Sequence, residues 1–251
     1  AMGQADTSGN NNVAIGNAAS DALTTGACNV AIGTGALSGA TTGCENVAIG
    51  TNALGVGVVG GTSSQGLYNV AIGISAGQSA TTAVDNIFIG RAAGDALTTG
   101  ATNIAIGLNA LGSQTTGGTN NVAIGNGAYM TSVNDGSNGI AIGTGALGAG
   151  DVSGTQNIVM GYRSGYDLNT GTYNVLIGSQ AGYEMNSGCM NVLIGCSAGA
   201  NITTGDFNVA IGLKSMNGCT ALSGNCNTII GHCSGQMMCG GAVGNTFYHY
   251  H

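Results

Sequence analysis

The sequence predicts an all-β protein, a repetitive β-solenoid or parallel β-roll of about thirteen coils, and three observations support this prediction. First, a pentapeptide related to Asn-Val-Ala-Ile-Gly recurs thirteen times, usually at a step of 17 residues. Second, apolar residues hold fixed positions in every copy, which a disordered Gly-rich chain does not require. Third, 49 glycines, no proline and only 5% charged residues fit paired backbone ladders better than a globule, where about 25% charge is usual.

The repeats extend almost from end to end, so we expect one repeat domain over residues 10–231, with a lead-in at 1–9. The step lengthens to 23 residues between Gly50 and Gly73, which predicts a surface loop from about Gly55 to Gln65. From His232 onward the pattern fades, so residues 232–251 are expected to form a cap or tip. Stacking at about 4.8 Å per coil predicts one elongated rod of roughly 60 Å.

Each copy contains a short strand, such as Val30-Ala31-Ile32. Alternate residues of a strand face the same way, so we expect the Val and Ile of each copy to fill the interior of the coil. The middle residue then faces outward, yet it is apolar in every copy, and a strand apolar on both faces is normally buried on both. We therefore expect the large middle residues to form a seam between copies of the chain, at Phe88, Val159, Leu176, Leu193 and Ile229.

The rest of the repeat specifies hydrogen bonds and corners. Asparagine stands four residues before the glycine in twelve of the thirteen copies, which predicts a ladder of stacked, hydrogen-bonded side chains. A small residue three positions after the glycine suits a narrow corner, and a turn of the type Thr24-Thr25-Gly26 follows in many copies. Little apolar material remains for the core of each coil, so we expect further burial through assembly as a homotrimer.

Charge and apolar runs limit the partners. The formal net charge is −7, and the three basic residues, Arg91, Arg163 and Lys214, do not cluster, so nucleic-acid binding is not expected. Apolar stretches of four or five residues are too short to predict membrane insertion. The eight cysteines leave two alternatives open, namely disulfides in an extracellular rod or buried thiols acting as small apolar residues.

The series Asn-Val-Ala-Ile-Gly-x-x-Ala-Gly resembles the head repeats of trimeric autotransporter adhesins (YadA-like heads), and it equally resembles repeats of bacteriophage tail fibres. The resemblance covers roughly residues 10–231 and rests on positions such as Val30, Ile32 and Gly33. It implies a trimeric left-handed parallel β-roll that presents an adhesive surface. It also implies an extracellular location, on a cell surface or in a virion fibre.

Aromatic residues gather in the last third of the chain. Tyr166 and Tyr183 occupy equivalent positions in adjacent coils and should stack, and basic side chains nearby supply hydrogen-bond donors. Such a strip suits the stacking of sugar rings, and ordinary ladder packing or a trimer contact is the alternative explanation. The candidate ligand-binding residues are Tyr162, Arg163, Tyr166, Tyr173, Tyr183, Phe207 and Lys214.

The C-terminal His249-Tyr250-His251 places two imidazoles on one face of a strand. In a trimer these would supply six imidazoles around one axis, so a metal ion at the tip is the one cofactor considered. A frayed tail is the alternative. No arrangement of nucleophile, base and orienting group is evident, so no catalytic residue is assigned and a non-enzymatic protein is predicted.

Three roles follow from these patterns. The first is a fibre or adhesin segment that recognises a target cell surface through a glycan or a protein. The second is a structural fibre spacer without a ligand. The third is an ice-binding solenoid, which would need a flat, exposed threonine face.

Overall fold

The computed structural model describes residues 8–55, 66–113, 118–130, 136–150, 152–218 and 222–248, and no helix occurs within them. They form two compact units, which divide between Asn126 and Gly127. The described part of the first unit contains the strands β1 Val13–Ile15, β2 Val30–Ile32, β3 Val47–Ile49, β4 Val70–Ile72, β5 Ile87–Ile89, β6 Ile104–Ile106 and β7 Val122–Ile124. That of the second contains β8 Ile140–Ile142, β9 Ile158–Met160, β10 Val175–Ile177, β11 Val192–Ile194, β12 Val209–Ile211, β13 Thr228–Ile230 and β14 Thr246–Tyr248.

Within each unit the strands pair in parallel, each with the next along the chain, so each unit is a parallel β-solenoid with one strand per coil. Equivalent residues of successive copies are partners; Val30, for example, lies beside Val47 and Ala31 beside Ala48. The backbone pairs outside the strands as well, as where the Leu37 amide donates to the Ala53 carbonyl at 2.9 Å. The predicted solenoid is therefore confirmed.

The orientation of the strand is the reverse of the prediction. The middle residue of β2 to β13 is fully buried inside its own coil, whereas the first and third residues are half-buried or exposed on the outside. The residues expected at a seam between chains therefore lie in the interior and offer no surface to a partner: Phe88, Val159, Leu176, Leu193 and Ile229. The lumen is narrow, and alanine in most copies leaves it room for a side chain from the opposite wall.

That opposite side chain stands six residues after the middle strand residue and varies in size against it. Where the strand carries Ala31 or Ala48, the partner position carries a buried leucine, Leu37 or Leu54. Where the strand carries Leu176, the partner is Gly182, on which a Cβ atom would lie 3.1 Å from Leu176 Cδ1. The same exchange pairs glycines with the other large middle residues, at Phe88 with Gly94, Val159 with Gly165, Leu193 with Gly199 and Ile229 with Gly235.

The asparagine ladder is confirmed in both units. Asn191 Oδ1 accepts the backbone amide of Asn208 at 2.9 Å and its side-chain Nδ2 at 3.0 Å. Asn191 Nδ2 in turn donates to Asn174 Oδ1 at 3.1 Å and to the Gly205 carbonyl at 2.8 Å. These side chains are fully buried, so the ladder satisfies polar groups that would otherwise destabilise the core.

The strand-ending glycine is required by the close approach of the next coil. Gly178 has φ of +135°, and a Cβ atom there would lie 2.6 Å from the Gly195 carbonyl carbon. At the far corner, Thr24 and Thr81 donate their hydroxyls to the carbonyls of Thr41 and Thr98 in the following coil. These threonine hydroxyls therefore join neighbouring coils at the corner.

Beyond β13 the chain forms a further coil, which the fading sequence pattern did not predict. β14 pairs in parallel with β13, and Asn245 Nδ2 extends the ladder by donating to Asn227 Oδ1 at 2.9 Å. Phe247 takes the middle position of the strand. The loop expected at Gly55 to Gln65 lies almost entirely outside the described residues.

Candidate functional site

The first and third residues of each strand build an apolar outer face, which we call the outer strand face. In the first unit β2–β7 present Val or Ile in both columns, and in the second unit β8–β12 do so with one Met. Stacking covers the flanks of these side chains but leaves their tips open; Ile72, Ile158 and Ile211 remain 37–38% exposed. Spacings of about 4.8 Å between strands and about 7 Å between alternate residues give six stacked strands a face on the order of 200 Å².

The edges of this face differ between the units. Immediately before the ladder asparagine, the first unit exposes mostly polar side chains, among them Glu45 and Asp85. In the second unit the same position carries Tyr173, Met190 and Phe207 in three successive coils, all about half exposed. The second unit therefore continues its apolar face into an aromatic edge.

At the other end of the strand lies a compact group of Tyr162, Arg163, Tyr166 and Tyr183, which we call the Arg163 cluster. Tyr166 and Tyr183 stack as the repeat predicted, with ring centroids 5.4 Å apart and planes 1° from parallel. The Arg163 guanidinium lies 5.2 Å from the Tyr166 ring centroid and 5.4 Å from that of Tyr162. Both distances fall within the range of cation–π attraction.

Two glycines of the preceding coil make room for this cluster. A Cβ atom on Gly145 would lie 3.4 Å from Arg163 Cγ, and one on Gly148 would lie 3.0 Å from Tyr166 Cε2. The arginine stem and the Tyr166 ring therefore lie against bare backbone. In the coil after Tyr183 the equivalent residue is Ala200, so the column of rings ends with a methyl group.

The polar groups of the cluster are open. No described residue accepts a hydrogen bond from the Arg163 guanidinium or forms an ion pair with it, so none of its five N–H donors is used within the described ranges. Asp167 and Glu184 directly follow the two stacked tyrosines, and neither carboxylate is hydrogen-bonded within the described part of the chain. Burial of the Asp167 carboxyl raises its pKa above the usual value of 3.8.

The other candidate ligand residues lie apart from this cluster. Tyr173 and Phe207 directly precede the ladder asparagine before the strand of their own coil, whereas Tyr162 follows the strand of its coil, so the two repeat positions lie at opposite ends of the strand. Lys214 is exposed and holds the same repeat position as Arg163, but three coils further on, about 14 Å along the stack. The sequence prediction thus combined two separate surfaces, the aromatic edge and the Arg163 cluster, in one site. It also missed Met190, although Met190 holds the same repeat position as Tyr173 and Phe207.

The metal and cysteine predictions receive little further support. His249 and His251 lie outside the described residues, and within the described ranges no three His, Cys, Asp or Glu side chains are grouped to hold a metal ion. His232 Nε2 contacts Cys233 Sγ at 3.2 Å. Cys239 is disulfide-bonded, while the six cysteines described as free thiols are all half-buried or exposed, so the expectation of buried thiols is wrong for them.

A pocket of about 490 Å³ opens at the last described coil. Met238, Phe247 and Tyr248 contribute apolar walls, and Met237 beside them is almost completely exposed. The pocket lies in the segment predicted to form a cap or tip, and its lining favours apolar contact over metal binding.

No helix in the described ranges has the length and apolar character needed to cross a membrane. No family model, curated protein or solved structure matches the chain.

Proposed function

We propose that this chain is a segment of a homotrimeric extracellular fibre or adhesin that recognises a target cell surface. The observation that carries the proposal is the outer strand face, where Val and Ile are repeated at the coil spacing in both units. Apolar side chains that form one continuous exposed patch, unlike single scattered ones, indicate an interaction surface. Covering this face would supply the burial that the narrow interior of each coil lacks.

The partner best suited to such a face is another copy of the chain. The face carries no charge in its two columns, and its features recur at about 4.8 Å, a period that an identical solenoid reproduces. Interfaces between copies are more apolar than transient ones, and closed symmetry is the usual arrangement. The number of three chains in the assembly comes from the resemblance to adhesin heads and tail-fibre repeats.

A spacer without a ligand would share this assembly face. Recognition is favoured over a spacer by the Arg163 cluster, because a passive spacer has no need of open donors beside stacked rings. The corner threonines do not favour ice binding, since Thr24 and Thr81 use their hydroxyls to bond the next coil.

A pair of lysine variants tests the assembly. Ile194→Lys places a charge on the outer strand face, whereas Thr204→Lys places one at an exposed corner. By sedimentation analysis, Ile194→Lys should dissociate to the 24.2 kDa chain with its β-sheet spectrum retained, and Thr204→Lys should stay assembled. Equal masses for the two variants would count against the outer strand face as the seam.

A further inference from the structure

We propose that the Arg163 cluster is a binding site for a neutral saccharide. This inference rests on the proposed role in surface recognition and adds the place and the chemical class of the ligand. Three features carry it: a flat stack of tyrosine rings, an arginine whose donors are open, and two carboxylates that directly follow the rings.

The rings supply the apolar part of the site. Tyr166 and Tyr183 are half-buried and parallel to within 1°, and Tyr166 lies against Gly148, so the orientation of the stack is fixed before any ligand arrives. The stack of rings ends at Tyr183, because the equivalent residue of the next coil is Ala200. The C–H face of a pyranose ring is flat and apolar enough to stack there.

The polar groups of the site both donate and accept. Arg163 is held over the rings of Tyr162 and Tyr166 at 5.4 and 5.2 Å, and its guanidinium is left without a hydrogen-bond acceptor among the described residues. Asp167 and Glu184, which directly follow the stacked tyrosines in the chain, supply the acceptors. Sugar hydroxyls match this combination, because each hydroxyl donates one hydrogen bond and accepts others.

The charges select a neutral ligand over an acidic or a basic one. The chain carries a net charge of −7, and two carboxylates flank the tyrosines, which disfavours a polyanion such as a uronic-acid polymer. The positive charge of Arg163 repels a cationic ligand in the same way. An uncharged molecule with one apolar face and many hydroxyls suits the stacked tyrosines, Arg163 and the two carboxylates together.

The test uses a glycan array that displays neutral and acidic oligosaccharides, probed with the full chain and three variants. We expect binding to neutral glycans, with about a tenfold loss of affinity in Arg163→Gln and in Tyr183→Ala. Lys214→Gln is the matched control, since it removes a positive charge at the same repeat position three coils away and should leave binding unchanged. Circular dichroism verifies that each variant is folded.

Three results would overturn the proposal: no neutral glycan bound, binding to acidic glycans alone, or equal losses in Lys214→Gln and Arg163→Gln. None of these would touch the assembly through the outer strand face, which the sedimentation of the lysine variants measures separately. Conversely, a monomeric chain that binds neutral glycans through Arg163 would keep this site and refute the trimeric fibre.

Discussion

At the scale of single residues, the interior of each coil is a matched pair of side chains six positions apart. Ala31 faces Leu37, and Leu176 faces Gly182. The total side-chain volume in the interior therefore stays similar, although the large side chain comes from the opposite wall in one coil and from the strand in the other. Protein interiors are close-packed, and a change of one methylene group is felt. The increase in size of the middle strand residue along the chain is therefore explained within the coil, without a second chain.

This pairing predicts a compensating double substitution. Leu176→Ala should lower the free energy of unfolding by about 2–5 kcal/mol through the cavity it leaves. Gly182→Leu alone should also destabilise, because its Cβ would press on Leu176 at 3.1 Å. Combined, the two reproduce the arrangement of Ala31 with Leu37, so denaturant unfolding should show a double variant more stable than the sum of the single losses. Additive losses would contradict the pairing.

The half-buried carboxyl of Asp95 predicts a dependence of stability on pH. Burial raises its pKa above 3.8, partly offset by the backbone amides of Asp95 and Ala96. The folded state thus binds this proton more tightly than the unfolded state, and the resulting stabilisation is lost as pH rises from 3.8 through the raised pKa. Asp95→Asn should match the wild type near pH 3 and become progressively more stable than it across that window.

Melting temperatures measured from about pH 3 to pH 7 would check this expectation. Asp21→Asn is the matched control, because Asp21 holds the same position after its strand glycine but is exposed. A melting-temperature difference between Asp95→Asn and the wild type that does not change with pH would contradict the assignment.

At the scale of the strand, the sequence located every element up to β13 but reversed its two faces. Period-two alternation shows which residues share a face, and it cannot decide between two apolar faces. The width of the coil decided the orientation, since a narrow lumen accepts Ala31 with Leu37 more readily than two columns of Val and Ile. The exchange of glycine for leucine opposite large middle residues was readable in the sequence and would have indicated the interior.

The candidate site was predictable to a similar extent. Equal repeat positions placed Tyr166 and Tyr183 in one stack, and the structure confirms it. The same reasoning did not separate Tyr173 from Tyr162, because it ignored which end of the strand each residue occupies. The role of Gly145 and Gly148 in seating the cluster depends on side-chain directions that a repeat pattern does not contain.

The strand-ending glycine gives the sharpest prediction at this scale. Gly178→Ala should destabilise the fold severely, since the added Cβ meets the Gly195 backbone at 2.6 Å and φ is +135°. Gly240→Ala is the contrasting variant, because its φ of +64° lies in the left-handed region that other residues of this chain adopt, and nothing lies within 4 Å of its Cβ. Thermal unfolding should show a much larger loss for Gly178→Ala. Similar losses would contradict a special requirement for glycine at the end of the strand.

At the scale of the whole molecule, the two units share one surface character and differ in another. Each has an outer strand face of Val and Ile, which suits self-association. The described part of the second unit adds the aromatic edge of Tyr173, Met190 and Phe207 and the open Arg163 cluster. Assembly is thus proposed for both units, and recognition for the second.

The mass of the native chain in solution, determined by light scattering, tests the central claim that the outer strand face is a seam between copies. Three chains of 24.2 kDa predict a mass of about 73 kDa. A mass of 24.2 kDa at all concentrations would contradict the account, because the outer strand faces of both units would then remain exposed to water without a partner.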